Sequence, residues 1–387
     1  MNTNSQFIPF NLPTPVESGI DTSVISGLGK GKFKAGCEKL LSEQLHGLRV
    51  LLTPSCSASL EMSALSIGIQ PGDEVILPSF TFVTSASAFA LRGAKLIFVD
   101  IRPDTLNIDE KLIEEAITEK TKAVVVVHYA GVACEMESIK AICKKYQIAL
   151  VEDAAQGIGA FYKETSLGTI ADYGCISFHH TKNIHAGGEG GALIVNDVSA
   201  VQRVEILQEK GTDRSRFLRG EVDKYTWQEL SSSYVMSEVQ GAVLYDQLTR
   251  TSEIISRRLA KWSHYYKELL WCEDAGFIKL PDIPRECQHN AHIFYMILPS
   301  QEIRDSLLMY LKGIGIEATT HYVPLHTSPA GRKYSRFFGK DQHTTRIANS
   351  LLRLPLYDSL PESEQSYIIS SINMYFKDKR FFIKMMA

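Results

Sequence analysis

The chain has 387 residues, of which 44% are hydrophobic and 22% charged, with a formal net charge of −3. This near-neutral balance offers no basic surface for nucleic acid or an anionic membrane. No run approaches the ~20 apolar residues of a membrane span. The N-terminal sequence MNTNSQFIPFNLPTP lacks the basic and apolar regions of a secretory signal. The seven cysteines show neither a CxxC pair nor zinc-ligand spacing. We therefore expect a cytoplasmic globular protein with reduced thiols and no metal site.

Short apolar runs alternate with segments of helical period from about residue 50. The segment RVLLTPSCSASLEMSALSIGI predicts a strand, a turn and a helix that begins near Ser57. Further strands are predicted for DEVILP, AKLIFVD, KAVVVVHYAG, IALVEDAAQ and YGCISF, and helices for ASAFALRG and residues 135–146. The helix at 135–146 places apolar residues at helical spacing, namely Met136, Ile139, Cys143 and Tyr146. This alternation predicts an α/β fold, a mostly parallel sheet flanked by helices.

The pattern changes near residue 250. LTRTSEIISRRLAKWSHYYKELL predicts one long amphipathic helix, and HNAHIFYMIL and IEATTHYVPL predict extended segments. We therefore predict two domains: a large α/β domain over residues 1–250 and a smaller C-terminal α+β domain over residues 251–387.

Two predicted strand ends carry residues suited to a phosphate and to a flat ring. Ligands of parallel α/β sheets collect at the carboxyl ends of strands. TPSCSAS leads into a helix N-terminus, whose free N–H groups suit a phosphate, although Ser57 also fits an ordinary N-cap. LPSFTFV places Phe80 and Phe82 past a strand end, where an aromatic ring either packs in the core or stacks on a ligand.

Two other strand ends carry charged side chains. Glu152 and Asp153 end an apolar strand, where a carboxylate serves as a helix cap, as half of a salt bridge or as the partner of a cationic ring nitrogen. Lys182 precedes a glycine-rich run, so it is either a surface lysine in a turn or a partly desolvated nucleophile. Together the four strand ends meet the requirements of pyridoxal 5'-phosphate. A dinucleotide site is a weaker alternative, since no GxGxxG follows the early strand.

Several motifs carry a family resemblance. SFHHTKN with GGEGG, VEDAAQ, VHYAG, PSFTFVTSASA, DKYTW and HYVPLH resemble the DegT/DnrJ/EryC1/StrS nucleotide-sugar aminotransferases over residues 8–375. The resemblance implies a fold-type I, pyridoxal phosphate-dependent transferase that forms a homodimer with shared active sites. LLTPSCSASLEM, VHYAGVACEM and EKGTDRSRFLRGEVDKYTW are most similar to members that make dTDP-4-amino-4,6-dideoxygalactose. That similarity implies a role in enterobacterial common antigen, O-antigen or related lipopolysaccharide biosynthesis.

The resemblance also assigns roles to the residues at the strand ends. Lys182 would form the Schiff base with the cofactor and move the proton to the substrate carbon. Asp153 would pair with the pyridine nitrogen, Gln156 would hydrogen-bond the ring O3', and Phe82 would stack on the ring. The phosphate would be bound by Ser57, Ala58 and Ser177.

Other matched positions concern the second subunit and the substrate. Family members commonly have GxNYRM where this chain has SSSYVM, so Ser233 stands at the asparagine that reaches the phosphate across the dimer. That contact would be weaker here or be made by Ser233. Positions matching the sugar site, with a hydrogen-bonded structural role as the alternative for each histidine, are His128, Tyr322 and His326. A basic run suits either the nucleotide diphosphate or a solvated loop face, namely Lys210, Arg214, Arg216 and Arg219.

The implied reaction moves the amino group of L-glutamate to C4 of dTDP-4-keto-6-deoxy-D-glucose, giving dTDP-4-amino-4,6-dideoxy-D-galactose. Three alternatives stay open. The same chemistry could give the gluco epimer or act on a 3-keto sugar. Related dehydratases carry histidine in place of the Schiff-base lysine, against which Lys182 argues. A non-catalytic binding protein of the same fold would have no need of the amine.

Overall fold

The computed structural model describes residues 7–17 and 31–386, and side chains as far as residue 377. Residues 1–6, 18–30 and 387, which belong to the predicted N-terminal segment and the two predicted domains, lie outside the described residues. None of the described helices combines the length and apolar character needed to cross a membrane.

Strands and helices alternate over the first half of the chain. The strands are β1 Arg49–Thr53, β2 Glu74–Pro78, β3 Lys95–Val99, β4 Thr121–Val127, β5 Ala149–Asp153, β6 Phe161–Tyr162, β7 Thr165–Ser166, β8 Tyr173–Ser177 and β9 Gly191–Val195. The helices are α1 Lys32–Gln44, α2 Cys56–Ile67, α3 Val83–Ala90, α4 Glu110–Ala116, α5 Met136–Tyr146, α6 Val201–Gln208, α7 Arg214–Leu218 and α8 Glu238–Thr249.

The remaining elements form the C-terminal part of the chain. The helices are α9 Thr251–Asp274, α10 Gln301–Gly313, α11 Pro329–Tyr334, α12 Thr344–Ser350 and α13 Glu362–Met386. The strands are β10 Cys287–Gln288, β11 Phe294–Ile297, β12 Ser335–Phe337 and β13 Leu351–Leu354. Single turns of 3₁₀ helix lie at Tyr129–Gly131, Val198–Ala200 and Leu325–Thr327.

The main sheet has eight strands in the order β1-β9-β8-β5-β4-β2-β3-β12. Strand β9 is antiparallel to both of its neighbours, β1 and β8, whereas every other pairing in the sheet is parallel. All strands except β9 therefore end at the same edge. Apolar clusters lie against the sheet, and β4 has an unbroken run of buried residues from Ala123 to Val127. The predicted α/β fold with a mostly parallel sheet is confirmed.

The C-terminal elements pack around a core of their own. Side chains from α9, α10, β11, β13 and α13 form one apolar cluster, which also takes in Ile8 from the N-terminal segment. Strands β11 and β13 form an antiparallel pair. Backbone pairing joins this part to the rest: β12 pairs with β3 of the main sheet, β10 pairs with β6, and Ile8 bridges to Ile316. The domain boundary near residue 250 stays a prediction.

The structure differs from the sequence-based expectations in two local details. The long helix predicted across residue 250 is two helices, because Arg250 lies between α8 and α9 in a non-helical conformation. Tyr146, placed on the apolar stripe of α5, is 40% exposed, whereas Met136, Ile139 and Cys143 are buried. Residues 316–325, which were predicted to be extended, form isolated bridges at Ile316 and Thr319. All seven cysteines are buried and unpaired.

Candidate active site

One cavity of about 480 Å³ lies at the edge of the main sheet where the parallel strands end. Residues at the ends of β1, β2, β5 and β8 or just after them line it together with residues from the C-terminal part. Five predicted site residues besides Lys182 and Tyr322 line it, namely Ser57, Phe82, Asp153, Gln156 and Ser177. The carboxyl ends of the strands therefore bring most of the predicted constellation together, although those residues are far apart in the sequence.

Lys182 enters this cavity from the loop after β8. Its backbone N–H donates to the carbonyl of His179 at 2.8 Å, and this turn fixes where the side chain begins. The side chain is partly buried, and burial lowers the pKa of the amine from its ordinary value, while the nearby Asp153 acts in the opposite direction. Lys182 is thus a cavity lysine rather than a surface lysine. A lowered pKa makes the neutral amine, the nucleophilic form, more accessible.

The glycines after Lys182 allow close packing within the protein. A Cβ on Gly191 would lie 2.5 Å from the backbone nitrogen of Cys56, at the start of α2. A Cβ on Gly190 would lie 2.7 Å from that of Ala186. Gly187 has a φ of +83°, a left-handed conformation that glycine adopts without strain. This return loop can therefore bring β9 alongside the first turn of α2.

Asp153 is buried at the end of β5 and faces the cavity. Its carboxylate accepts hydrogen bonds from the Ser85 hydroxyl at 2.6 Å and the Ala155 N–H at 3.1 Å. Ser85 also lies 2.8 Å from the hydroxyl of Thr81, which lines the cavity. Burial raises the pKa of Asp153, whereas these hydrogen bonds and the charge of Lys182 act to lower it. The carboxylate is oriented and suited to a buried cation.

The neighbouring Glu152 lies apart from the cavity and is held by the protein itself. Its carboxylate accepts N–H groups of Gly168, Ile170 and Ala171 at 2.7–2.8 Å and lies 2.9 Å from Nε2 of His128. The other ring nitrogen of His128 accepts the Cys134 N–H at 3.2 Å. His128 is fully buried and does not line the cavity. This placement favours the structural alternative for His128 over contact with a sugar.

The two phenylalanines after β2 occupy different environments. Phe80 is buried in an apolar cluster with Tyr129, with their ring centroids 5.1 Å apart. Phe82 lines the cavity and is 56% exposed. Leaving a large aromatic side chain exposed forgoes the stabilisation of burial, so a flat ligand that covers Phe82 would recover it.

The corner formed by α2 and β8 has the donors that a phosphate requires. The N-cap of α2 is Ser55, whose hydroxyl accepts the Ala58 N–H at 3.2 Å, so the N-cap alternative for Ser57 is wrong. Ser57 instead lies in the first helical turn, whose leading N–H groups have no intrahelical acceptor. Ser177 lines the same cavity. Ala58 does not line the cavity, and its N–H is already bound to Ser55.

Gln156 is fixed in one orientation by hydrogen bonds at both ends of its amide. Its Oε1 accepts the Ala130 N–H at 2.7 Å, and its Nε2 donates to the hydroxyl of Tyr322 at 3.0 Å. Asn290 donates to the backbone carbonyl of Gln156 at 2.8 Å. One N–H of the Gln156 amide is then available on the cavity side, where an anionic ring oxygen would accept it.

The other predicted substrate residues lie away from the cavity. Ring nitrogens of His326 lie 2.7 Å from the Ser79 hydroxyl and 3.2 Å from the Asp341 carboxylate, which favours its structural alternative. Each residue of the basic run lies within 4 Å of a glutamate, and none lines the cavity: Lys210, Arg214, Arg216 and Arg219. Ser233 forms a backbone bridge with Glu209 and does not line the cavity within one chain.

The cavity lining also includes aromatic and basic residues that the sequence reasoning did not select, among them Phe10, His292, His321 and Arg353. Arg353 lies on β13, and Phe10 belongs to the N-terminal segment. His292 Nδ1 lies 3.1 Å from Oδ1 of Asn183, the residue after Lys182. His321 is the first residue of HYVPLH, a motif in which Tyr322 and His326 were the predicted site residues. No strand-end pattern marks Phe10 or Arg353.

The residues present fit pyridoxal 5'-phosphate. The cavity brings together an amine of lowered pKa, a buried hydrogen-bonded carboxylate, an exposed aromatic face and a helix N-terminus. Lys182, Asp153, Phe82 and Ser57 would hold the aldehyde, the ring nitrogen, the ring face and the phosphate respectively. The donor set therefore matches each chemical part of the cofactor.

Comparison with known proteins agrees with this fit. The model of the DegT/DnrJ/EryC1/StrS aminotransferase family matches residues 23–373. A pleiotropic regulatory protein from Geobacillus stearothermophilus is 32% identical over 325 residues, covering 83% of each chain. The spore coat polysaccharide biosynthesis protein SpsC of Bacillus subtilis is 28% identical over 383 residues, covering 95% of this chain and 97% of SpsC.

A solved structure shares both the fold and the type of cofactor. NtdA of Bacillus subtilis, with bound cofactor PMP, superposes with a TM-score of 0.83 at 27% identity, covering 96% of this chain and 85% of NtdA. PMP is the amine form of pyridoxal phosphate, so the predicted cofactor is confirmed. Because the family model spans most of the sequence, the chain belongs to the DegT/DnrJ/EryC1/StrS aminotransferase family.

Proposed function

We propose that this protein is a sugar-nucleotide aminotransferase that takes the amino group of L-glutamate and transfers it to a keto sugar. The observation that carries the proposal is that Lys182 and Asp153 line one cavity, each with its pKa displaced by burial. A non-catalytic binding protein would have no need of a nucleophilic amine in that position.

The chemistry divides between the cofactor and the protein. Pyridoxal 5'-phosphate, when bound, supplies a cationic ring that stabilises negative charge at the carbon next to the transferred nitrogen. Lys182 would hold the aldehyde carbon of the cofactor, and its amine would take up and return the proton at the reacting carbon. Asp153, whose carboxylate accepts a hydrogen bond from Ser85, would accept the N–H of the ring and keep that proton in place. Gln156 would orient the ring through the amide N–H that Tyr322 does not accept.

For the acceptor we propose dTDP-4-keto-6-deoxy-D-glucose, with dTDP-4-amino-4,6-dideoxy-D-galactose as the product. The sequence motifs quoted above support this choice, and SpsC is by name a polysaccharide biosynthesis protein. The corresponding pathway would build a surface polysaccharide such as enterobacterial common antigen. The nucleotide sugar would be synthesised in the cytoplasm. The gluco epimer and a 3-keto acceptor stay open as alternatives, since the face of protonation depends on how the sugar lies above Lys182.

We also propose that the enzyme is a homodimer whose active sites draw on both subunits. Ser233 and the basic run lie outside the cavity of their own chain, as residues that serve a partner's cavity would. In this arrangement Ser233 would contact the cofactor phosphate of the other subunit, and Lys210 and Arg219 would lie near the nucleotide.

The proposed function is tested by visible absorbance of the purified, cofactor-loaded protein before and after addition of L-glutamate. We expect a yellow band that glutamate shifts to shorter wavelength in the wild type and in Lys140→Ala, an exposed control on α5. The Lys182→Ala variant should lack the band, because it has no amine to bind the aldehyde. Coupling constants of the sugar product, measured by NMR, distinguish galacto from gluco. A folded, cofactor-saturated wild type that does not respond to glutamate would contradict the proposal.

A further inference from the structure

We propose that two buried hydroxyls, those of Thr81 and Ser85, are positioning groups that keep a proton on the ring nitrogen of the cofactor rather than on Asp153; this inference rests on the pairing of Asp153 with the ring in the proposed function. The three side chains form a chain of hydrogen bonds. The Ser85 hydroxyl donates to Oδ2 of Asp153 at 2.6 Å, and the Thr81 hydroxyl lies 2.8 Å from that of Ser85. All three residues are buried, so bulk water does not compete for these bonds.

The chemistry of the three groups fixes the direction of both hydrogen bonds. An ionised carboxylate offers only acceptors, and a hydroxyl has a single proton to donate. The proton of Ser85 is therefore used on Asp153, and the contact between the two hydroxyls is made by the proton of Thr81. Because successive hydrogen bonds polarise one another, Thr81 strengthens the bond that Ser85 donates to the carboxylate.

Both hydroxyls belong to the segment that begins α3. Thr81 lines the cavity and precedes Phe82, the N-cap of α3, and Ser85 lies in the first turn of that helix. The backbone N–H of Ser85 donates to the carbonyl of Phe82 at 3.2 Å, which fixes the serine relative to the phenylalanine. One short piece of chain therefore presents the Phe82 ring to the cavity and also supports the carboxylate of Asp153, which lies on a different strand.

Opposing effects act on the charge of this carboxylate. Burial raises the pKa of Asp153, whereas the Ser85 hydroxyl and the Ala155 N–H lower it. The N–H of Ala155 is a backbone group that every side-chain variant retains, so Ser85 is the hydrogen-bond donor that a substitution can remove. Titratable groups of other elements also act electrostatically on Asp153 or feel its charge, namely Lys182, His128, Cys56, Cys175 and Tyr322.

The support from Ser85 decides on which group the proton lies. A proton between a carboxylate and a ring nitrogen resides on the more basic of the two. Removal of the Ser85 hydroxyl takes away the hydrogen bond to Oδ2 and makes the carboxylate more basic. The proton would then leave the ring nitrogen and bind Asp153, so that both groups become neutral. A ring without its positive charge stabilises less negative charge at the reacting carbon.

The size of the effect follows from the type of bond that is lost. A hydrogen bond to a charged group changes an equilibrium constant roughly ten- to a hundredfold. We expect Ser85→Ala to shift the proton distribution towards Asp153 by that factor, and Thr81→Val to shift it less, because the direct donor remains. Ser85→Ala should lower kcat on the order of tenfold with little change in KM for L-glutamate, since it alters the ring and not a substrate contact.

The experiment measures protonation of the ring nitrogen directly, by nitrogen NMR of protein loaded with pyridoxal 5'-phosphate that is isotopically labelled at that nitrogen. Asp153→Asn supplies the reference signal of a ring without a carboxylate partner. We expect a protonated ring in the wild type, a signal displaced towards the reference in Ser85→Ala, and a smaller displacement in Thr81→Val. Thr81→Ser, which keeps the hydroxyl, should match the wild type.

The matched control is Ser59→Ala. Ser59 is fully buried in α2, and its hydroxyl lies 2.7 Å from that of Thr53, which donates to the backbone carbonyl of Ser55. This hydroxyl pair resembles that of Thr81 and Ser85 but ends at a carbonyl instead of a carboxylate, and neither of its members lines the cavity. Ser59→Ala should keep the wild-type nitrogen signal, whatever it does to the melting temperature.

A wild-type nitrogen signal in cofactor-loaded Ser85→Ala overturns the inference while the proposed function stands. If Ser85→Ala does not retain the cofactor, Thr81→Val decides: a displaced signal supports the inference, and an unchanged signal overturns it. An unprotonated ring in the wild type overturns the inference together with the role proposed for Asp153. Because the NMR measurement uses no substrate, a failure to react with L-glutamate contradicts the proposed function alone.

Discussion

Asp153 lies in surroundings that oppose its charge when no cation faces it. Burial raises the pKa of Asp153 above its ordinary value. The folded state therefore holds its proton more tightly than the unfolded state does, and the stability from this group is lost as pH rises from ~3.9 through the raised value. We expect Asp153→Asn to abolish this contribution, so the cofactor-free wild type should lose melting temperature relative to the variant as pH rises through the acid range.

The measurement is a series of melting temperatures of both cofactor-free proteins across that range. Adding pyridoxal phosphate should reverse the order above the raised pKa, because the cationic ring then stabilises the carboxylate of the wild type and not the amide. A difference between wild type and Asp153→Asn that does not change with pH would contradict the assignment of a raised pKa to this carboxyl.

The residues of the site differ in whether the sequence predicts their position. Lys182, Asp153 and Phe82 each follow an apolar strand, so the rule that parallel strands end together places them at one edge. Arg353 also lies on an apolar strand, but in the C-terminal part of the chain. No periodic pattern in the sequence shows that this part packs against the same edge of the sheet. His128 also follows a strand, but its ring contacts the carboxylate of Glu152. Position at a strand end does not specify which face a side chain occupies.

Among the elements, helix α9 is linked by one buried arginine to backbone segments that line the cavity. Arg258 donates to the backbone carbonyls of Ala291, His292 and Leu356 at 2.8–3.1 Å. Burial lowers the pKa of its guanidinium to about 10. We expect Arg258→Met to lower the free energy of unfolding by about 2–4 kcal/mol, since three buried carbonyls lose their donor.

Urea unfolding of cofactor-loaded protein measures this change. The control is Lys267→Met, an exposed position on the same helix, which should stay within about 0.5 kcal/mol of wild type. His292 and Leu356 line the cavity, so Arg258→Met should also weaken cofactor binding. Equal stability of both variants would show that water replaces the guanidinium.

At the scale of elements, the sequence predicted strands better than connections. Buried strands such as β4 are recognisable from their β-branched residues. The sequence does not predict the break at Arg250, because the interruption depends on tertiary contacts. Arg250 donates to the carbonyl of Pro15 and to Asp246, both at 2.8 Å. Contacts with a distant N-terminal segment have no local signature.

For the whole molecule, the segment from α7 to residue 230 exposes several large apolar side chains. Trp227 is 72% exposed and Leu230 73%, and the same segment exposes Phe217, Leu218 and Tyr225. Concentrated apolar exposure marks association surfaces. We expect sedimentation velocity to show a dimer for wild type, and Trp227→Ser with Leu230→Ser to shift the distribution towards monomer.

The control is Val198→Ser, at an apolar residue exposed in another segment, which should leave the dimer intact. A dimer of the double variant as stable as that of wild type would place the subunit interface elsewhere. Activity should fall together with dimerisation if the cofactor site is shared. The sequence predicted an assembly only by family resemblance, because surface complementarity arises from the folded shape.

The pairing of β12 with β3 has a consequence for the newly made chain. Strand β3 ends at residue 99, but the strand that pairs with its outer edge is formed by residues 335–337. During synthesis that edge stays unpaired until most of the polypeptide has left the ribosome, and an unpaired parallel edge invites association with other chains. Ile8 likewise lacks its bridge partner until Ile316 has been synthesised. Chaperone dependence and aggregation of truncated chains should therefore be concentrated in the interval before residue 337 emerges.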